Sequence, residues 1–389
     1  MPLVDIRHQA LRRNATELLL HMQRFSLDLK FSVSLSHLMA PSSRFHDDYR
    51  EPLTVPERLS RLAQVAEDGV VGIEAVYPNE INEDNLDLFR RHVKETGQRI
   101  VAINPNLHYQ RMFEYGALSN PDKHIRRMAI DRLVAALRLN RELDTDMAIV
   151  WPGVDGHENP FGINFLTWRD RIADSLTEAM EEVPGVRIAL EPKPGDPRGR
   201  LLLAGTSDAL IMCARVESRL RAEESVHLQE DGHALVTVCL RGSNVAMAHE
   251  DLAEAFSRAT EQGRLAHTHW NSMPRGTHGP EQNVSVANPE QTKAGLYLLK
   301  MCGYSGLFGI DINPTRTDPI RALRNSIDAI RIANDRIEGL DHEHVLQCAS
   351  YPEIDRGWIE AHLNRRRAPN PENLWPLGPP IRGDERSMS

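Results

Sequence analysis

"VRIALEPKPGDPRGR" (186–200) runs an apolar segment into two opposite charges, Glu191 and Lys193, on a stretch carrying three prolines and two glycines. Ile188, Ala189 and Leu190 fill both alternating faces, which is how a strand covered on both sides reads. Such strands belong to parallel sheets with helices outside them. Charges at the C-terminal end of one then face an open mouth.

Seven further runs share this character: "KFSVSL" (30–35), "VVGIEAV" (70–76), "RIVAIN" (99–104), "MAIVW" (147–151), "ALVTVCL" (234–240), "LAHTHW" (265–270) and "GLFGIDI" (306–312). Helical patterns separate them, among them "VPERLSRLAQVAED", "NEDNLDLFRRHVKETG", "HIRRMAIDRLVAALRLNREL" and "TWRDRIADSLTEAMEEV". Several open on Thr, Asn or Asp, which cap free N–H groups, and the second stops at Gly97. Eight strands each followed by a helix predict an α/β fold, a (β/α)8 TIM barrel over residues 30–340. A doubly wound open sheet is the competing fold. The first strand lacks the Gly-rich phosphate fingerprint of its dinucleotide-binding form.

Residues 1–29 read as a polar helical extension, 216–233 as a charged insertion, and 341–389 as a proline-rich arm. The arm is expected to wrap a neighbouring subunit in a homo-oligomer, a dimer or tetramer, with a hetero-partner as the alternative. A net charge of −9 over 389 residues gives no electrostatic footprint for nucleic acid or an anionic membrane. Cys213, Cys239, Cys302 and Cys348 are widely spaced, with neither a C-x-x-C pair nor a disulfide framework, as in reduced cytoplasmic proteins. The first residues lack an apolar h-region, and no apolar run approaches a membrane span, so the expected location is the cytoplasm.

In a barrel of this kind, chemistry sits at the C-terminal ends of the strands. Those ends carry Tyr77, Asn104–Asn106, Trp151, Glu191 with Lys193, Arg241, His269 with Asn271, and Asp311. Carboxylates facing an imidazole suit a divalent metal, or proton transfer beside a carbonyl. A salt-bridged rim with no chemistry is the bland alternative.

Four segments resemble xylose isomerase and the wider sugar isomerase and epimerase branch: "ALEPKPGDPRG", "GIDINPTRTDP", "NPNLHYQRMFEYGALSNPDKHIRRMA" and "IVWPGVDG". The likeness is collinear over about residues 30–335. It implies a barrel, a divalent metal (Mn, Mg or Co), and isomerisation or epimerisation of a small sugar. Under it Glu191 and Asp311 match metal carboxylates and catalytic groups, and Lys193 matches the lysine that handles the substrate oxygen. His269 stands at a ligand position, and Trp151 is the aromatic wall against the sugar. His108 falls where the family has an aromatic residue, and Arg316 follows the last motif. Asn271 joins these as a substrate-binding candidate. One ion on Glu191, His269 and Asp311 is the expected centre.

The departures cluster at the sixth strand. "LRGSNVAMAHEDL" puts Arg241 and Asn244 where the family carries an acidic ligand and a His three residues later. "PEQNVS" offers Glu281 and Asn283 in place of two Asp. "RFHDDYR" imitates the family's catalytic F-H-D-D but precedes the second strand, so Asp47 and Asp48 read as solvated loop charges. A guanidinium cannot ligate a cation and stays charged. Unit charges about 4 Å apart interact by about 4 kcal/mol at an effective dielectric near 20, so Arg241 and an ion would compete. Either Arg241 swings aside and the ion binds with water or Asn244, or the site is metal-free and Arg241 polarises a substrate carbonyl or grips a carboxylate. Three rivals follow: a C-glycoside-cleaving or related lyase on oxidised sugars with a partner subunit, a metal-assisted endonuclease, and a sugar-binding relative without turnover. The endonuclease is disfavoured by the acidic chain and the missing His-rich metal pattern.

Overall fold

Eight short parallel strands make the sheet: β1 (Phe31–Ser34), β2 (Val70–Tyr77), β3 (Arg99–Pro105), β4 (Ala148–Val150), β5 (Ile188–Leu190), β6 (Val236–Arg241), β7 (Leu265–Trp270) and β8 (Phe308–Ile310). They lie in the order β3-β2-β1-β8-β7-β6-β5-β4. A parallel bridge between Ala102 and Met147 draws the two edges together, so the sheet is a nearly closed (β/α)8 barrel. The computed structural model describes residues 13–43, 46–220, 234–274, 276–277, 281–353, 355, 357–368 and 370–374.

The predicted run 265–270 is a strand throughout, whereas 186–191 and 306–312 shrink to three residues each. Glu191 and Asp311 leave the ladder at those points, yet their backbone N–H groups still donate to Val150 O at 3.0 Å and Trp270 O at 3.2 Å. Both side chains are thereby held where β5 and β8 open into loops.

Helices follow the predicted pattern. Thr54 and Glu57 form a capping box at the start of Val55–Ala63, and Gly97, at φ 74°, ends Leu86–Thr96. The predicted start near residue 82 is early because Asn82 and Asn85 are used in a turn, where Asn82 N donates to Asn85 Oδ1 at 2.9 Å. A large core fills the space between strands and helices, with Phe31, Ile73, Leu133, Leu176, Phe256 and Leu323 all buried. Each such side chain contributes about 1.5–3 kcal/mol on leaving water. A smaller cluster includes Ala102, Met147, Ile149, Ala189 and Cys239. Gly309 is required opposite it, since a Cβ there would stand 2.7 Å from both His267 Nε2 and His269 Cδ2.

Outside the barrel, Asn14 caps a helix over Ala15–Arg24, against which a later helix, His342–Ser350, packs. A further helix spans Trp358–Arg367. The helix Thr206–Glu217 runs into the predicted insertion with Val216 buried, and residues 221–233 lie outside the described residues. The same holds for residues 1–12 of the predicted extension and 375–389 of the predicted arm. Among the described residues no helix is long and apolar enough to cross a membrane.

Candidate active site

Alternation along a strand decides which side chains enter the barrel. On β7 it sends His267 and His269 inward together, and on β6 it puts Arg241 in register beside His269. Glu74 projects from the middle of β2 and is 1 % exposed.

These groups form two layers. In the lower layer, Ser32 Oγ donates to Glu74 Oε1 at 2.8 Å, and His267 Nε2 lies 3.1 Å from the same oxygen. His269 Nε2 lies 2.9 Å from Glu74 Oε2. The upper layer begins on the other side of that ring, where His269 Nδ1 is 2.8 Å from Glu191 Oε2 and 3.5 Å from Asp311 Oδ2. Arg241 Nη2 is ion-paired with Glu191 Oε1 at 2.8 Å and with Asp311 Oδ2. Its Nη1 reaches Glu281 Oε1 at 3.2 Å. His37, on the turn after β1, sets Nε2 2.7 Å from Asp311 Oδ1.

The protonation pattern follows from this geometry. Ionised carboxylates only accept, so His269, with a carboxylate oxygen at each nitrogen, donates twice and is an imidazolium. Burial opposes charge on that ring, but contacts with Cys239, Glu74 and Glu191 outweigh it, and its pKa stands well above the usual histidine value. Burial likewise works against the Glu74 carboxylate, but His269 and His267 hold its pKa well below the usual range. For Asp311, burial is overcome chiefly by Arg241, then by His37 and His269, and the pKa is again depressed. Arg241 is pushed upward, with burial outweighed by Asp311, Glu191 and Glu281.

The rim is built by the β5 loop. Lys193 N donates to Leu203 O at 3.0 Å, and Arg198 ties the loop outward through Glu158, with Nη2 2.6 Å from Oε2. Lys193 is 7 % exposed, and its Nζ pairs with Asp196 at 2.9 Å and lies 5.4 Å from the centre of the Trp151 ring. His108 meets that ring edge-on at 4.7 Å. Burial, then Lys193, lowers the His108 pKa to about 4, so it is a neutral ring at the wall.

The sequence-predicted residues divide accordingly. Glu191, His269, Asp311 and Arg241 converge, and Lys193, Trp151 and His108 form a second group on the β5 loop side. Asn244 and Asn271 are buried and tie loops together. Asn244 Nδ2 donates to Pro192 O at 3.0 Å, Asn271 Nδ2 to Asp311 O at 2.8 Å, and Ser243 N to Asn271 Oδ1 at 2.8 Å. Arg316 stacks on Tyr49 at 4.8 Å. Asp47 and Asp48 are exposed, as expected of solvated charges. Sequence reasoning missed Glu74, His267 and His37; a charge in the middle of "VVGIEAV" was the available signal for the first.

Among the described residues, two groups bring possible metal ligands within 4.8 Å of one another: Glu74, His267 and His269, and Glu191, Cys239 and His269. The expected set of Glu191, His269 and Asp311 does not fit an ion as arranged. Arg241 Nη2 stands between the two carboxylates, and a doubly donating imidazolium has no lone pair to give.

A nearly closed parallel barrel with charged groups gathered at the C-terminal ends of its strands is the TIM-barrel class of fold. The chain belongs to the xylose isomerase-like TIM barrel family, whose model matches residues 62–333. It is 26% identical over 288 residues to the xylose isomerase of Thermus thermophilus, covering 70% of each chain. Its fold is similar to that of a D-tagatose 3-epimerase-like protein, with TM-score 0.57 and 16% identity over 79% of this chain and 100% of that one. An L-ribulose 3-epimerase is similar at TM-score 0.56 and 16% identity, over 81% and 99% of the two chains. The 3-keto-D-glucoside 4-epimerase of E. coli gives 0.53 and 15%, over 78% and 99%.

Proposed function

We propose that this chain is a sugar isomerase or epimerase that moves a proton at a carbon beside the carbonyl of a monosaccharide or a sugar derivative. The observation that carries the reading is the paired carboxylates, Glu191 and Asp311, held by cations at the barrel mouth. Family membership and the sugar isomerase and epimerases among its relatives support the same chemistry.

The side chain of Asp311 is 14% exposed and that of Glu191 only 2%, so Asp311 is the carboxylate a substrate reaches. As substrate enters, one Asp311 oxygen exchanges its His37 or Arg241 partner for the substrate and takes the proton, and the electron pair left on carbon moves onto the carbonyl oxygen as an enediolate. Lys193 supplies positive charge for that oxyanion, and the C–H face of the sugar lies on Trp151. Returning the proton to the neighbouring carbon, with the hydroxyl proton passing from one oxygen of the enediolate to the other, isomerises the sugar; protonation of the original carbon from its opposite face by water, with Asp311 keeping the proton it took until solvent removes it, epimerises it. A carboxylate as weakly basic as Asp311 needs a polarised carbonyl to do this, so a fixed cation at the mouth is part of the reaction.

Incubating the full chain with aldoses, ketoses and 3-keto-glycosides in D2O tests this. The expected result is an isomer or epimer carrying solvent deuterium at the reacting carbon. A product without deuterium would rule out a freely exchanging proton route. Saturable sugar binding without turnover would favour the second reading, a binding-only relative, which the pairing of the Arg241 Nη atoms with three carboxylates makes specific.

A further inference from the structure

We propose that Arg241 is a built-in cation standing where a divalent ion would lie between Glu191 and Asp311, so that this site handles its sugar without bound metal. The chemistry assigned to it rests on the isomerase or epimerase reading; the exclusion of the ion does not.

Saturation of the donors is the first support. Glu191 gives one oxygen to Arg241 and the other to His269. Asp311 gives one to His37 and the other to Arg241. His269 is occupied at both nitrogens by Glu191 and Glu74. An ion entering this set would have to displace the ion pairs of Arg241 with Glu191 and Asp311 and the contacts that His269 and His37 make with the same two carboxylates.

The second support is anchorage. Three carboxylates on three different elements hold the guanidinium fork: Glu191 after β5, Glu281 after β7 and Asp311 after β8. Swinging Arg241 aside would leave the Glu191 charge, whose side chain is 2% exposed, with His269 as its one remaining ion-pair partner among the described residues, a ring it shares with Glu74. A guanidinium stays protonated at any working pH, so the charge is permanent. Leaving it in place while a divalent ion binds beside it would weaken that ion by at least about a thousandfold through repulsion.

The third support is access. The Arg241 side chain is 19% exposed while the Glu74–His269 layer beneath it is closed, so the guanidinium is the cation that a carbonyl oxygen meets on entering. It supplies polarisation as a hydrogen-bond donor.

The test reads metal directly and needs no turnover, so it stands or falls separately from the deuterium assay. Full-length wild type, purified without chelator, is assayed for bound metal by elemental analysis and for Mn2+ binding by calorimetry. Arg241→Ala and Arg241→Gln are measured alongside, the glutamine retaining an amide donor if the alanine variant fails to fold. Expected are a wild type with no stoichiometric metal and no saturable Mn2+ uptake, and a variant that binds Mn2+ at least about a hundredfold more tightly. One equivalent of divalent metal in the wild type would overturn the proposal. So would a folded variant that gains no affinity, since something other than the guanidinium would then exclude the ion.

Discussion

Replacing Glu74 with Gln removes one negative charge from the bottom of the site without changing its shape. Glu74 is 1 % exposed and serves Ser32, His267 and His269 through its two oxygens. A hydrogen bond to a charged group contributes about 1.5–3 kcal/mol, and breaking a buried pair costs about 3–5 kcal/mol because one charge is left alone. Glutamine keeps an acceptor oxygen for Ser32, so the expected loss is about 3 kcal/mol, a large share of a typical total stability. The pH window follows from the two shifts. The Glu74 pKa is depressed, so its contribution is complete above the unfolded value of 4.5 and is lost as pH falls through the folded one. That of His269 is raised, so its contribution is complete below 6.5 and is lost as pH rises through its folded value. Urea unfolding near pH 5.5 therefore sees both in full. The variant should unfold at lower urea with an unchanged slope, and the His269 ring should titrate at lower pH by NMR. A deficit under about 0.5 kcal/mol with an unmoved His269 titration would refute the two-layer charge network.

Lys193→Met should lower kcat about a hundredfold or more with little change in KM, as expected for a group that acts on developing charge; steady-state kinetics on whichever sugar the deuterium screen identifies will show it. Its stability should hardly move, because the Asp196 partner is 53% exposed. Trp151→Ala should raise KM about tenfold or more with a smaller effect on kcat, since the ring binds the sugar face throughout. His108 has its pKa lowered to about 4, so the unfolded chain binds its proton first and stability should fall as pH drops from 6.5 toward that value. Denaturation of His108→Phe across that range should show up to about 3 kcal/mol less acid sensitivity. The cysteines are buried and free, with Cys213, Cys239 and Cys302 pushed up to about 12 by burial. A thiol reagent should react slowly with the native chain and with all four after unfolding.

The barrel was legible because its strands are apolar on both faces, a pattern that survives in runs as short as "IAL" and "FGI". Their ends were less so: the strands β5 and β8 stop one residue before Glu191 and Asp311, whose N–H groups still bond to the neighbouring strand, and hydrophobicity does not register that boundary. The upper layer of the site was legible for a related reason, since Glu191, Arg241, His269 and Asp311 each end or directly follow an apolar run. His37 was hidden inside "LSHLM", where a lone histidine between leucines reads as core until Asp311 is placed beside it. Glu74 and His267 were missed because attention to strand ends passes over the barrel interior, where a charge is tolerated only if an opposite one arrives from another strand. β2, β7 and β1 supply the three members of that layer from positions far apart in the chain. Gly309 carries the same information in negative form: the last strand gives up a side chain so that two imidazoles fit. Arg241 is the converse case, conspicuous in sequence and ambiguous in role. One cation with three carboxylates around it would be an isolated rim salt bridge if His269 were neutral. With His269 charged, four carboxylates face two fixed positive groups, and the site retains a negative balance before any substrate enters. Neutral sugars are therefore its natural ligands, and phosphorylated ones should bind more weakly by a margin that shrinks as salt is added.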